Sequence, residues 1–160
     1  MSRHRWRSAA ARGRAARGVA VVLDSGVVVG FLDRQDALHD AADTAVRELV
    51  RGQRLLASVV TYAEVLTGAR LGHHNEDDVT GFFAGLLSAV LPIDIVVADK
   101  AADLRSRFKS LRIPDALILA TAEADPDVDL IVTGDRQLTK VSGLRIDVRL
   151  LPWRDPDLYN

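Results

Sequence analysis

Residues 19–33 read VAVVLDSGVVVGFLD, and the position of Asp24 within them decides the fold. Before the aspartate stand Val19, Ala20, Val21, Val22 and Leu23; Val27, Val28 and Val29 follow shortly after. A short apolar run rich in β-branched residues reads as a strand buried on both faces. Such a strand has no comfortable place for a lone carboxylate. An unpaired buried charge is costly, so a buried acid is paired, protonated or bound to a metal. The local alternative is that Asp24 ends the strand and caps the helix expected over residues 25–32, with Ser25 and Gly26 completing the turn. The question for the rest of the chain is whether other acids stand in equivalent places.

Working outward, the pattern alternates. Residues 39–51, HDAADTAVRELVR, place Ala42, Ala45, Val46, Leu49 and Val50 at helical spacing before the stop at Gly52. Residues 54–58, RLLAS, form a short strand, and residues 61–71 a helix that Gly72 and the polar run HHNED end. A helix over 79–90 follows, capped by Asp77 or Asp78, with Phe82, Phe83, Leu86 and Leu87 at helical spacing. Residues 92–96, PIDIV, read as a strand. Residues 97–108 form a helix whose basic end suits the helix dipole. Pro114 opens an almost wholly apolar helix, PDALILATAEA, in the first turn, where its missing N–H does no harm. A helix so apolar must be buried on most sides. Residues 128–133, VDLIVT, form a strand followed by the turn Gly134-Asp135, and residues 144–151 a last strand at an edge. Strands alternating with helices imply crossover connections, a mainly parallel sheet and helices on both faces, that is, a three-layer α/β/α sandwich.

Composition sets bounds. The 160 residues suit one domain, and 48% are hydrophobic, enough for a sizeable core. No run is long and uncharged enough to span a bilayer, so no membrane role is expected. With no cysteine there is no disulfide framework and no thiolate metal site, in keeping with a cytoplasmic location. The net charge of −1 hides an asymmetry. Six of the 21 basic residues are arginines within residues 1–18, which hold no acid, leaving 15 basic against 22 acidic residues in the body. Residues 1–18 lack the apolar centre of a secretion signal. They are expected to be a disordered basic arm or a product of translation from upstream of the true start, with a phosphate-contacting tail as the alternative. The folded domain is expected over residues 19–152, with an irregular tail over 153–160.

Four acids stand at the same end of the expected sheet: Asp24, Glu64, Asp115 and Asp135. Ligand sites in parallel sheets gather there. Each acid also has a local explanation. Thr61-Tyr62-Ala63-Glu64 matches a capping box, Asp115 suits a positive helix end, and Asp135 is an ordinary turn residue after glycine. Converging, they would repel one another and raise each other's pKa unless a cation neutralised them. An all-oxygen set favours the hard ions Mg²⁺ or Mn²⁺. His73 and His74 lack ligand spacing and read as surface residues. A carboxylate-held divalent ion with open positions suits phosphodiester hydrolysis.

The ordered motifs DSGVVV, TYAEVLTGA, IPDALILATA and IVTGD resemble the PIN-domain family, and within it the VapC toxins of bacterial toxin–antitoxin pairs. The resemblance runs over roughly residues 19–151. It implies a metal-dependent RNA endonuclease using Mg²⁺ or Mn²⁺, acting often on structured RNA such as tRNA. It also implies a homodimer and inhibition by a VapB-like antitoxin. By this resemblance Asp24 and Asp115 are the principal metal ligands and Glu64 and Asp135 complete the site, while Thr133 orients a ligand or water. The arm is atypical of the family, and Gly26 replaces a small polar residue, so hydroxyl help would have to come from Ser25. Two other readings stand beside it: a non-catalytic module of the same fold that binds RNA or protein, and a phosphoacceptor or phosphatase, which lacks a second acid beside Asp24 and a well-placed lysine. Phe82, Phe83, Leu86 and Leu87 are read as core, or as a groove for an antitoxin helix. An antitoxin arginine among the four acids would replace the metal charge. Lys100, Arg105, Arg107, Lys109 and Arg112 are read as a phosphate grip or as a solvated helix face.

Overall fold

A computed structural model describes residues 19–152. The arm over 1–18 and the tail over 153–160 lie outside the described residues. Five strands form one sheet: β1 (Ala20–Leu23), β2 (Arg54–Ser58), β3 (Ala89–Leu91), β4 (Val128–Thr133) and β5 (Asp147–Leu150). Their order is β3-β2-β1-β4-β5, and every pairing is parallel. The chain walks from β1 to one edge and then returns to lay β4 against the other side of β1. The carboxyl ends of β1 and β4 therefore flank the point where strand order reverses, which is where such sheets hold ligands.

The helices are α1 (Ser25–Leu32), α2 (His39–Leu49), α3 (Val59–Arg70), α4 (Glu76–Gly85), α5 (Ile95–Arg107) and α6 (Ile113–Ala124), with a 3₁₀ turn at Leu138–Lys140. They divide between the two faces of the sheet. Val21, Leu23, Leu55 and Val132 pack with side chains of α1 to α4, including Val27, Val46, Val65 and Phe82. The alternate residues Ala20, Val22, Leu56 and Ile131 pack with Val97, Leu104, Ile118 and Leu119 of α5 and α6. The period of two along each strand thus feeds two cores, giving the three expected layers. All four residues of β1 are fully buried. α6 is enclosed as its composition demands, with Ala116, Ile118, Leu119, Ala120 and Ala122 inaccessible to solvent.

Four local readings need correction. α3 begins at Val59, and its cap is Ser58, whose hydroxyl accepts from Val60 N at 3.2 Å. Thr61 is therefore a buried residue within the helix, and no capping box engages Glu64. α4 is capped by Asn75, which accepts from the backbone of Asp77 and Asp78, and it ends at Gly85, so that 89–91 becomes the edge strand β3. No strand forms over 92–96. Asp94 instead caps α5 through Val97 N at 2.9 Å. In an apolar stretch such as AVLPIDIV, periodicity does not separate strand from helix. Finally, His74 is not a free surface residue. Its Nε2 lies 2.8 Å from the Val65 carbonyl, and its ring sits so close to Gly68 that a Cβ there would meet it at 2.8 Å.

Candidate active site

Asp24 and Thr133 form the floor of the site. Asp24 leaves β1 and caps α1, with Oδ1 accepting from Ser25 N at 2.8 Å. Its other oxygen accepts from the Thr133 hydroxyl at the end of β4, at 2.6 Å. That hydroxyl also accepts from Asp135 N at 2.9 Å, so Thr133 ties the first acid to the turn bearing the last. Asp24 is only 6% exposed. Burial pushes its pKa from 3.8 up to about 6, with repulsion from Asp115 and Glu64 adding to the rise, while the hydrogen bonds from Thr133 and Ser25 oppose it. The carboxylate is thus short of compensating positive charge.

The other acids close around it. Glu64, exposed in the second turn of α3, accepts a very short hydrogen bond from the Ser25 hydroxyl. The same hydroxyl lies 3.4 Å from Thr61 Oγ1. Asp115 is buried in the first turn of α6 and receives the Arg112 guanidinium in a two-point contact: Nε to Oδ2 at 2.9 Å and Nη2 to Oδ1 at 3.3 Å. Asp135 accepts from Gln137 N at 2.8 Å. All four acids line one open cavity of about 600 Å³, together with Ser25, Gly26, Asp36, Leu38, Arg112 and Gly134. Five carboxylates, including Asp36, thus share one lining with a single guanidinium, that of Arg112.

Sequence reasoning missed Asp36. It lies in the loop between two helices, where its carboxylate bonds Leu38 N at 2.8 Å as a common turn residue does, so nothing in the local pattern marks it. Leu38 from that loop closes over the end of β4. A Cβ on Gly134 would stand 2.6 Å from its Cδ2, which is why the turn after Thr133 suits glycine. A Cβ on Gly26 would meet nothing within 4 Å, leaving the cavity open on that side. Of the five cations read as a phosphate grip, only Arg112 lines this cavity. Arg107 pairs with Asp103 at 3.1 Å, and Arg105 donates to the Lys109 carbonyl at 2.8 Å.

The donors suit a hard divalent ion: oxygen throughout, anionic in excess, with one carboxylate raised in pKa chiefly by burial. As arranged, however, each acid is held by a protein donor, and no three acidic or histidine side chains among the described residues are grouped to grip an ion.

The sequence model of the PIN domain matches residues 21–144, most of the chain. The chain belongs to the PIN-domain family. No curated protein matches it at a significant level. Among solved structures, VapBC2 from Rickettsia felis bound to a promoter DNA fragment superposes with a TM-score of 0.65 at 15% identity, over 81% of this chain and 98% of that one. VapBC-5 from Mycobacterium tuberculosis gives 0.58 at 21% identity, over 83% and 99%. A toxin–antitoxin complex from Klebsiella pneumoniae gives 0.57 at 24% identity, over 76% and 88%. At these identities the likeness is one of fold. The five-stranded parallel PIN sheet matches the expected three-layer architecture. Among the described residues no helix is long and apolar enough to cross a membrane.

Proposed function

We propose that this PIN-domain protein is a VapC-like toxin: an endoribonuclease dependent on Mg²⁺ or Mn²⁺ and restrained by a VapB-like antitoxin. The observation that carries this reading is the meeting of Asp24, Glu64, Asp115 and Asp135 in one cavity at the sheet's switch point. Asp24 and Asp115 would hold the ion, with Glu64 and Asp135 completing the set directly or through water. When bound, such an ion polarises a phosphate oxygen and lowers the pKa of a bound water. The chain's own groups prepare the place. Thr133 turns the Asp24 carboxylate and fixes the Asp135 turn. Ser25 holds Glu64 over the cavity. Without a cation, the acidic lining would repel a polyanionic RNA, so substrate and ion are expected to bind together. Structured RNA such as tRNA is the expected substrate.

A second open cavity, of about 780 Å³, supports the antitoxin part of the reading. Phe31, Leu32, Phe82 and Leu86 line it, together with Arg34, the Arg47–Asp43 pair, Asp77 and Asp78. Phe82, Phe83 and Leu87 are mainly core, as the simpler reading held, yet Phe82 and Leu86 still show an edge to this groove. An amphipathic antitoxin helix would lay apolar anchors there. The protein is further proposed to be a homodimer acting in the cytoplasm.

One observation favours the non-catalytic alternative: Asp115 is already neutralised by Arg112. Incubating the protein with total RNA and Mn²⁺, then mapping cut ends, separates the two. Cleavage is expected to stop with chelator and in Asp115→Asn. A folded Asp115→Asn protein cutting at the wild-type rate would defeat the nuclease reading. Co-purification with a small VapB-like protein tests the partner.

A further inference from the structure

Arg112 stands at the cap position of α6 in extended backbone and makes no capping bond itself. Its side chain instead reaches over the first helical turn to Asp115, so that both carboxylate oxygens are engaged by one guanidinium. The two partners differ sharply in surroundings. The Arg112 side chain is 73% exposed, whereas that of Asp115 is 11% exposed. The carboxylate is committed to the interior of the site, while the cation sits at the mouth and is free to leave. Glu64 and Asp135 also draw on the guanidinium, after Asp115 itself. It is the one positive side chain among the lining residues.

Resting on the metal-dependent reading above, we infer that Arg112 is a built-in counter-ion that competes with the divalent ion for Asp115. The forked contact occupies the edge of the carboxylate that an ion would need, so the two cannot hold it in the same way at once. An ion pair with one partner so exposed is weak and readily displaced. When a site is open for only a fraction of the time, its apparent affinity falls by that fraction. Arg112 therefore lowers metal affinity, and in the metal-free protein it offsets repulsion among the carboxylates. This accounts for acids that converge without forming a ligand set as they stand. Once displaced, the guanidinium remains at the cavity mouth.

The test is a calorimetric titration of Mn²⁺ into the wild-type chain, Arg112→Gln and Arg112→Lys, with circular dichroism confirming the fold of each. Arg112→Gln is expected to bind Mn²⁺ about threefold to tenfold more tightly. Arg112→Lys, which keeps the charge but loses the fork, should fall between. In the unmodified protein, the Arg112 Nε–H resonance should shift and exchange faster with water as Mg²⁺ is added, a readout that needs no variant. Equal or weaker Mn²⁺ binding by folded Arg112→Gln, or an Nε–H signal indifferent to saturating Mg²⁺, would overturn this inference and leave the metal reading intact. No Mn²⁺ binding by either the wild-type chain or Arg112→Gln would instead remove the metal reading and this inference with it.

Discussion

Replacing Asp24 by asparagine is expected to stabilise the metal-free protein at neutral pH, against the usual outcome of altering a buried, hydrogen-bonded residue. The carboxylate has a pKa of about 6 in the fold against 3.8 for the ordinary group, chiefly because it is buried. That difference corresponds to roughly 3 kcal/mol of penalty on the ionised form. Between pH 3.8 and about 6 the native state holds a proton that the unfolded chain has released. The wild-type protein therefore loses stability as pH rises through this window, and the loss is complete above it. An amide escapes the penalty but keeps only one acceptor for two donors, Ser25 N and the Thr133 hydroxyl. A compromised hydrogen bond costs about 1 to 1.5 kcal/mol. The net gain for Asp24→Asn is thus about 1 to 2 kcal/mol at pH 7.5, vanishing or reversing near pH 4. Urea unfolding of both proteins at the two pH values, with chelator present, measures it. A variant less stable than wild type at pH 7.5, or a gain independent of pH, would refute the claim that the carboxylate is uncompensated in the fold.

Thr133→Val keeps the shape but removes the donor to Asp24 and the acceptor for Asp135 N. It should cost about 1 to 3 kcal/mol and move the Asp24 pKa higher still, as followed by carboxyl carbon resonances during a pH titration. Arg145 donates to the carbonyls of Val128, Ala122 and Asp125 at 2.8, 3.2 and 2.7 Å, closing the end of α6 far along the helix from Asp115. Arg145→Gln is expected to lower stability by about 1 to 2 kcal/mol in thermal or urea unfolding while leaving Mn²⁺ affinity within twofold of wild type.

Much of the architecture is legible in local chemistry. The helix at Ser25–Leu32 and the strands at Arg54–Ser58 and Val128–Thr133 agree with their sequence readings because each apolar run is bounded by a turn or capping residue. The third strand was not legible. Ala89 and Val90 are exposed at the sheet edge, and what makes them a strand is parallel pairing with Leu56 and Ala57, a distant segment. The cap of α3 is ambiguous along the chain because Ser58 and Thr61 are both competent caps, and only the end of β2 selects between them.

The acids themselves follow from the chain alone. A carboxylate that bounds a buried apolar segment is conspicuous, because it is expensive there, as at Asp24 and Asp115, while Glu64 and Asp135 stand out only by following a strand in the same order along the chain. Their partners do not follow. That Thr133 bonds Asp24, that Ser25 holds Glu64, and that Asp36 joins the cavity depend on β4 lying beside β1 and on a helix–helix loop folding over them. Even the Arg112–Asp115 pair, three residues apart, takes its meaning from the fold, since only the packed protein buries one partner and leaves the other in water. Periodicity and capping are local, and so they can be read along the chain. Burial, repulsion and charge compensation depend on distances that exist only once the layers have closed.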